Sequence, residues 1–97
     1  MKRTSSKTGQ EYWLFWCPGC ETHHSFRTKL GLDQTGPVWT KTGSDEKPTF
    51  APSLLIYYRG LPKSKRCHLF LRNGMVQYLN DCTHKFKGKT IPVQEPC

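Results

Sequence analysis

Cys17-Pro18-Gly19-Cys20 is the stretch of this chain best suited to chemistry. Two cysteines separated by Pro-Gly turn tightly and aim two sulfurs at one point. Zn²⁺ takes soft sulfur ligands in a tetrahedron, so this spacing reads as half of a metal site. Cys67-His68 and Asp81-Cys82-Thr83-His84 supply further ligand-type side chains. A redox pair at Cys17 and Cys20 would sit at a helix N-terminus in a βαβ setting, and no helical periodicity surrounds them. Cys67 is the expected third ligand. His24, four positions after Cys20, is the expected fourth, with His68, Cys82 and His84 as alternatives. The paired histidines and carboxylate of a zinc hydrolase helix are missing, so the expected Zn²⁺ is structural.

A second chemistry competes for the same residues. A cysteine needs a base or a cationic neighbour to become a thiolate nucleophile. His68 and His84 are candidate bases for Cys82, and Asp81 could orient one of them in a triad. From spacing alone Cys82 reads as one more ligand, since extra cysteines beside such a pair usually bind metal. Ser53, after Pro52, is another hydroxyl, read as a backbone cap at a strand start. Cys97 reads as a spare thiol.

These groups need a scaffold, and 97 residues allow one domain with a small core. Hydrophobic residues make up only 35%, so a metal staple would help. Five cysteines cannot all pair within the chain, and a reducing cytoplasm suits metal-bound thiolates better than secretion does. No signal peptide is visible, and no run approaches the ~18 apolar residues of a membrane span. The net charge of +8 admits an anionic partner such as nucleic acid. Its basic clusters are Lys2, Arg3 and Lys7, then Lys63 to Arg66, then Lys85, Lys87 and Lys89.

The expected fold is mainly β: a small single domain of hairpins with a zinc-ribbon-like knuckle. Residues 1–10 read as a flexible basic leader and 11–97 as one zinc-stabilised β domain. Tyr12 to Trp16 and Thr22 to Thr28 flank the cysteine turn as strands. Val38 to Thr40 is a short strand. Lys47 to Ser53, with two prolines, belongs at an edge or in an extended crossover. Leu54 to Tyr58 reads as a buried strand, and Gly60 to Arg66 as a basic loop. Asn73-Gly74 between alternating apolar runs marks a two-residue hairpin turn. That turn pairs Arg72 with Met75, Leu71 with Val76, Leu69 with Tyr78 and Cys67 with Asn80. It gathers Cys67, His68, Asp81, Cys82 and His84 at the hairpin's open end, with Cys82 on the face of Cys67 if the strand continues.

Taken together, several motifs resemble a known family. They are Trp16-Cys17-Pro18-Gly19-Cys20 with His24, Glu46-Lys47-Pro48-Thr49-Phe50-Ala51-Pro52-Ser53, Cys67-His68 with Phe70 and Gly74, and Asp81-Cys82-Thr83-His84 with Gly88 and Thr90. The chain, over roughly Trp13 to Pro92, resembles small domains of unknown function in tailed-phage genomes, often labelled ammonia monooxygenase. No residue here supports that label. Relatives stand in bacterial operons for ubiquitin-like conjugation, as a peptidase that trims or removes the ubiquitin-like protein. In that family the position of Cys82 is often serine, and serine replaces cysteine more readily at a nucleophile than at a zinc ligand. The resemblance therefore implies Cys82 as nucleophile, a nearby histidine as base, and Cys17, Cys20 and Cys67 as structural ligands.

Two functions follow as expectations. The first is a cysteine- or serine-type peptidase acting on a ubiquitin-like protein, with Cys82 attacking, His68 or His84 taking the proton and Asp81 orienting the base. Backbone N–H groups near Cys82 would hold the oxyanion. The second is a non-enzymatic, zinc-ribbon-like adaptor for nucleic acid or a host or phage protein, offering Trp13, Phe15 and Trp16 if they are exposed. Those aromatics read rather as core, because they lead straight into the knuckle.

Overall fold

The computed structural model describes residues 1–32, 34–58 and 65–95. Among them, eight strands form two antiparallel sheets, and no helix occurs. In chain order the strands are β1 (Lys2–Ser5), β2 (Glu11–Cys17), β3 (Thr22–Lys29), β4 (Thr40–Gly43), β5 (Pro48–Tyr58), β6 (Lys65–Arg72), β7 (Met75–Tyr78) and β8 (Thr90–Pro92). Strands β1-β2-β3 make one sheet and β4-β5-β6-β7-β8 the other, each in chain order. The all-β expectation matches this architecture.

Alternation along the strands builds the core. Trp13, Phe15 and Cys17 of β2 point inward, as do His24 and Phe26 of β3. Phe50, Leu54, Cys67, Leu69, Leu71, Val76 and Tyr78 answer from the other sheet. The rings of Phe26 and Phe50 stack with centroids 4.4 Å apart, joining the two layers. Aromatic surface of this kind supplies much of the burial in so short a chain. With Trp13 and Phe15 in the core, the aromatic stack offered for nucleic acid is not available at those two positions.

The β6–β7 hairpin has the expected register: Arg72↔Met75, Leu71↔Val76 and Leu69↔Tyr78. Asn73 and Gly74 both have positive φ, 50° and 75°, as the turn requires. The strand does not continue to Asn80, however. β7 ends at Tyr78, and the chain turns, with Cys82 N–H donating to Leu79 O at 3.2 Å. This turn removes the basis for putting Cys82 on the face of Cys67.

Three other expectations meet a different arrangement. Lys2–Ser5, expected within a flexible leader, pairs with β2 from Lys2↔Leu14 to Ser5↔Glu11. The proline-bearing segment is not at an edge but opens β5, an interior strand between β4 and β6. Proline is tolerated there because Pro48 starts the strand and Pro52 lies in a bulge, away from the paired ladder. The run expected to be buried, Leu54 to Tyr58, alternates over its first four residues: Leu54 is 5% exposed, Leu55 55% and Tyr57 44%. The outer face of the five-stranded sheet is open at those positions. The basic loop expected at 60–66 lies outside the described residues except for Lys65 and Arg66, which begin β6, and Cys97 also lies outside them.

Candidate active site and metal centre

The bulge in β5 creates the first site. Phe50 pairs with Leu71 and Leu54 with Leu69, so three residues of β5 oppose one of β6. A bulge re-aims side chains that a regular ladder would hold in alternation. Ser53 is the last residue of this bulge, and its Oγ lies 3.1 Å from His68 Nε2. His68 sits on β6 with its ring on the outer face, between the inward-facing Cys67 and Leu69. Its Nδ1 lies 3.1 Å from Asp81 Oδ2.

These contacts fix the protonation pattern of the neutral ring. A carboxylate only accepts, so His68 Nδ1 carries the proton and donates it to Asp81. Nε2 is then bare and accepts from the Ser53 hydroxyl. Serine, imidazole and carboxylate thus form a relay with the geometry of a hydrolytic triad. Trp39 Nε1 donates to Ser53 O at 3.2 Å and anchors the bulge. Arg66 Nη1 lies 3.7 Å from Asp81 Oδ2 and shares the carboxylate.

The segment after β7 delivers Asp81 by running along the free side of β6. Leu79 N–H donates to His68 O and Thr83 N–H to Arg66 O, each at 2.9 Å. Cys82 Sγ accepts from His68 N–H at 3.3 Å and donates to His68 O at 3.2 Å. Its thiol stands in for a strand partner. Cys82 is 4% exposed and contacts the main chain of His68, whereas the ring of His68 meets Ser53 and Asp81. The expected grouping of His68 with Asp81 is present. Cys82 and His84 are not brought to that relay.

Residues 2–79 match the model of the family described as BubE, bacterial ubiquitination-like system serine protease. The chain belongs to this family. No curated protein and no solved structure matches it. The BubE match includes Ser53 and His68 and ends just before Asp81. It supports the expected relation to the peptidase of bacterial ubiquitin-like operons, and its description names serine. Sequence reasoning passed over Ser53 as a cap. The available signal was a hydroxyl following proline inside an otherwise apolar strand.

Beneath the triad lies a second constellation. Cys17, Cys20, Cys67 and His84 offer ligand atoms that all lie within 4.8 Å of one another, and they could hold a metal ion. Cys17 Sγ is 4.0 Å from Cys67 Sγ, and Cys67 Sγ is 3.3 Å from His84 Nε2. Metal bonds of about 2.3 Å to sulfur and about 2.0 Å to nitrogen set the corners of a tetrahedron roughly 3.5–3.8 Å apart. The cluster fits that size. Gly19 makes room for it, since a Cβ there would stand 2.4 Å from His84 Nδ1. His24, expected as the fourth ligand, lies beside Cys17 but outside this group, and His84 takes the place. The ring of His24 packs edge-on against Phe15 instead.

The electrostatics of the cluster favour a cation. Hydrogen bonds from Cys20 and Cys67 push the Cys17 thiol far below its ordinary range, which favours the thiolate form that metals bind. The same contact with Cys17 pushes Cys20 up to about 12 and raises Cys67 strongly. Burial raises the Tyr78 hydroxyl, which lies 3.2 Å from Cys17 Sγ. Three sulfurs this close disfavour ionising together, and a divalent ion would offset that repulsion. Burial lowers His84, which favours the neutral imidazole that binds metals.

Among the described residues, no helix is long and apolar enough to cross a membrane.

Proposed function

We propose that this chain is a serine protease of a bacterial ubiquitination-like system, built on a zinc-stabilised β scaffold. The observation that carries the reading is the Ser53–His68–Asp81 relay, closed by two contacts of 3.1 Å each. The substrate is a ubiquitin-like protein, cleaved at its tail or at the bond joining it to another molecule. The phage-type setting and the cytoplasmic location expected from sequence belong to the same proposal.

Each group has a chemical task. Ser53 Oγ attacks the scissile carbonyl carbon while His68 Nε2 takes its proton. Asp81 holds the ring in the productive tautomer and stabilises the imidazolium. The N–H of Ser53, in the bulge, is the proposed donor to the oxyanion, in place of the groups near Cys82 expected from sequence. His68 then gives its proton to the leaving amine, whose bond to carbon breaks and leaves an ester on Ser53. Water, deprotonated by His68, attacks that ester, releases the acid and restores the serine.

Zn²⁺ is the proposed occupant of Cys17, Cys20, Cys67 and His84, where it would supply a cross-link between the knuckle and β6. Four protein ligands leave it no open position for substrate, so its task is structural. His84→Ala should lower the zinc content per chain, measured by mass spectrometry of the metal, whereas His24→Asn should leave it unchanged. The opposite pattern would return the fourth place to His24.

Asp81→Asn tests the orienting role. An amide cannot hold the Nδ1–H tautomer as a carboxylate does, so kcat should fall by roughly 10²–10⁴. The lower part of that range is expected because the Asp81 side chain is 39% exposed and water can partly substitute. Steady-state kinetics on the purified variant would decide it, and unchanged kcat would remove Asp81 from the triad.

A further inference from the structure

β5 changes neighbours next to the nucleophile. Its pairing with β4 runs from Gly43↔Pro48 to Thr40↔Ala51 and stops there. From Leu54 to Tyr58 β5 is paired with β6. Among the described residues, no strand lies along its other side beyond Ala51.

The ladder shows which main-chain groups face that opening. Arg66 and His68 direct their carbonyls to Thr83 N–H and Leu79 N–H. Their N–H groups go to Thr83 Oγ1 and Cys82 Sγ. Main-chain groups alternate sides along a strand, so Cys67 and Leu69 turn theirs toward β5. They meet Ile56 and Leu54, their register partners. Leu55, opposite His68, must therefore point its N–H and C=O away from β6, into the opening. The Ser53 carbonyl on this side already accepts from Trp39 Nε1. Two residues later, the Leu55 donor and acceptor turn into the opening with no strand beside them among the described residues, next to a leucine side chain that is 55% exposed.

We propose that the acyl side of the substrate binds as an extended strand antiparallel to β5, with its main chain paired to Leu55. This rests on the serine-protease reading of Ser53. Every strand pair in the sheet is antiparallel, and strand addition at an edge is a general mode of peptide recognition. Antiparallel counting gives the register. If the residue that supplies the scissile carbonyl stands opposite Ser53, the residue two before it stands opposite Leu55. That third residue exchanges both an N–H and a C=O bond with Leu55, and its side chain lies beside the leucine, which suits an apolar group. The second residue points its main chain away from β5. The occupant is thus a flexible polypeptide tail read through its backbone, with an apolar third residue.

Phosphonate reagents test this on the full chain. A bare alkyl fluorophosphonate, an alanine diphenyl phosphonate and acetyl-Leu-Ala-alanine diphenyl phosphonate would be compared for their rates of modifying Ser53. The tripeptidyl reagent should react at least about tenfold faster than the single-residue one, as the conversion of ~1.4 kcal/mol per tenfold implies for two main-chain bonds. N-methylation of its leucine should remove that gain, and N-methylation of the middle alanine should leave it within about twofold. Exchange of the Leu55 amide with deuterium should slow in the tripeptidyl adduct and not in the bare one. Labelling of Ser53 by the bare reagent with no gain from the peptide, or equal loss at both N-methyl positions, overturns the edge and spares the triad. Failure of the bare reagent to label Ser53 removes the protease reading, and this inference falls with it.

Discussion

Ser53→Ala should abolish the proposed peptide cleavage and leave the fold and the metal content of the purified protein unchanged. In the proposed mechanism the hydroxyl is the attacking atom, held 3.1 Å from His68 Nε2. Loss of a triad serine lowers kcat by a factor on the order of 10⁴ or more, with the remainder owed to binding and oxyanion contacts. Stability should change little, because Ser53 stands outside the paired register of β5. The informative comparison is Cys82→Ser. A serine hydroxyl can both accept from His68 N–H and donate to His68 O, as the thiol does. That variant should keep its activity within about tenfold and its metal in full. Measured side by side, the two variants separate the nucleophiles. An active Ser53→Ala enzyme alongside an inactive Cys82→Ser enzyme would hand the chemistry back to the thiol.

Stripping the metal should unfold the chain. Structural Zn²⁺ contributes apparent binding energies of about 10–16 kcal/mol in small domains. Total stabilities of single domains are about 5–15 kcal/mol, so little would remain without the ion. Here the ligands span the molecule: Cys17 and Cys20 bracket the turn between β2 and β3, Cys67 lies on β6, and His84 follows β7. Losing the ion leaves three sulfurs and an imidazole within 4.8 Å of one another with nothing to bind them together. Thermal melting with and without a strong chelator, followed by circular dichroism, should show the cooperative transition disappear near room temperature. Readdition of Zn²⁺ should restore it. A chelated protein that melts as before would show that the cluster is an ordinary group of buried thiols.

The parts of this molecule that were readable from sequence are those governed by neighbours along the chain. Asn73-Gly74 sets a turn through local φ preferences, and the hairpin register follows from it. Pro18-Gly19 between two cysteines makes a knuckle by itself. Ser53 escaped because its role depends on a bulge, and a bulge is a mismatch between two strands rather than a property of either. Counting along β5 alone cannot reveal three residues set against one. The place of Cys82 is hidden for a related reason: alternation holds only as far as Tyr78, where the chain turns and leaves the ladder. His84 and His24 are alike in type, and the tertiary packing that sets His84 over Gly19 and His24 against Phe15 is not written in their spacing. Leu54 to Tyr58 reads as uniformly apolar, so nothing in its composition announces that one face stays open.

Cys67 and His68 are consecutive residues, one turned to the interior cluster and the other to the catalytic face. Side chains along a strand alternate, so inserting or deleting a residue just upstream would exchange their directions. The imidazole would enter the sulfur cage, and the thiol would meet the substrate. Point substitutions elsewhere on this strand can be absorbed by local repacking, but its length cannot drift. Evolution of the protein's durability and of its reactivity is therefore tied to a single spacing, and relatives that retain both should differ in the loops around β6 and never in its count of residues.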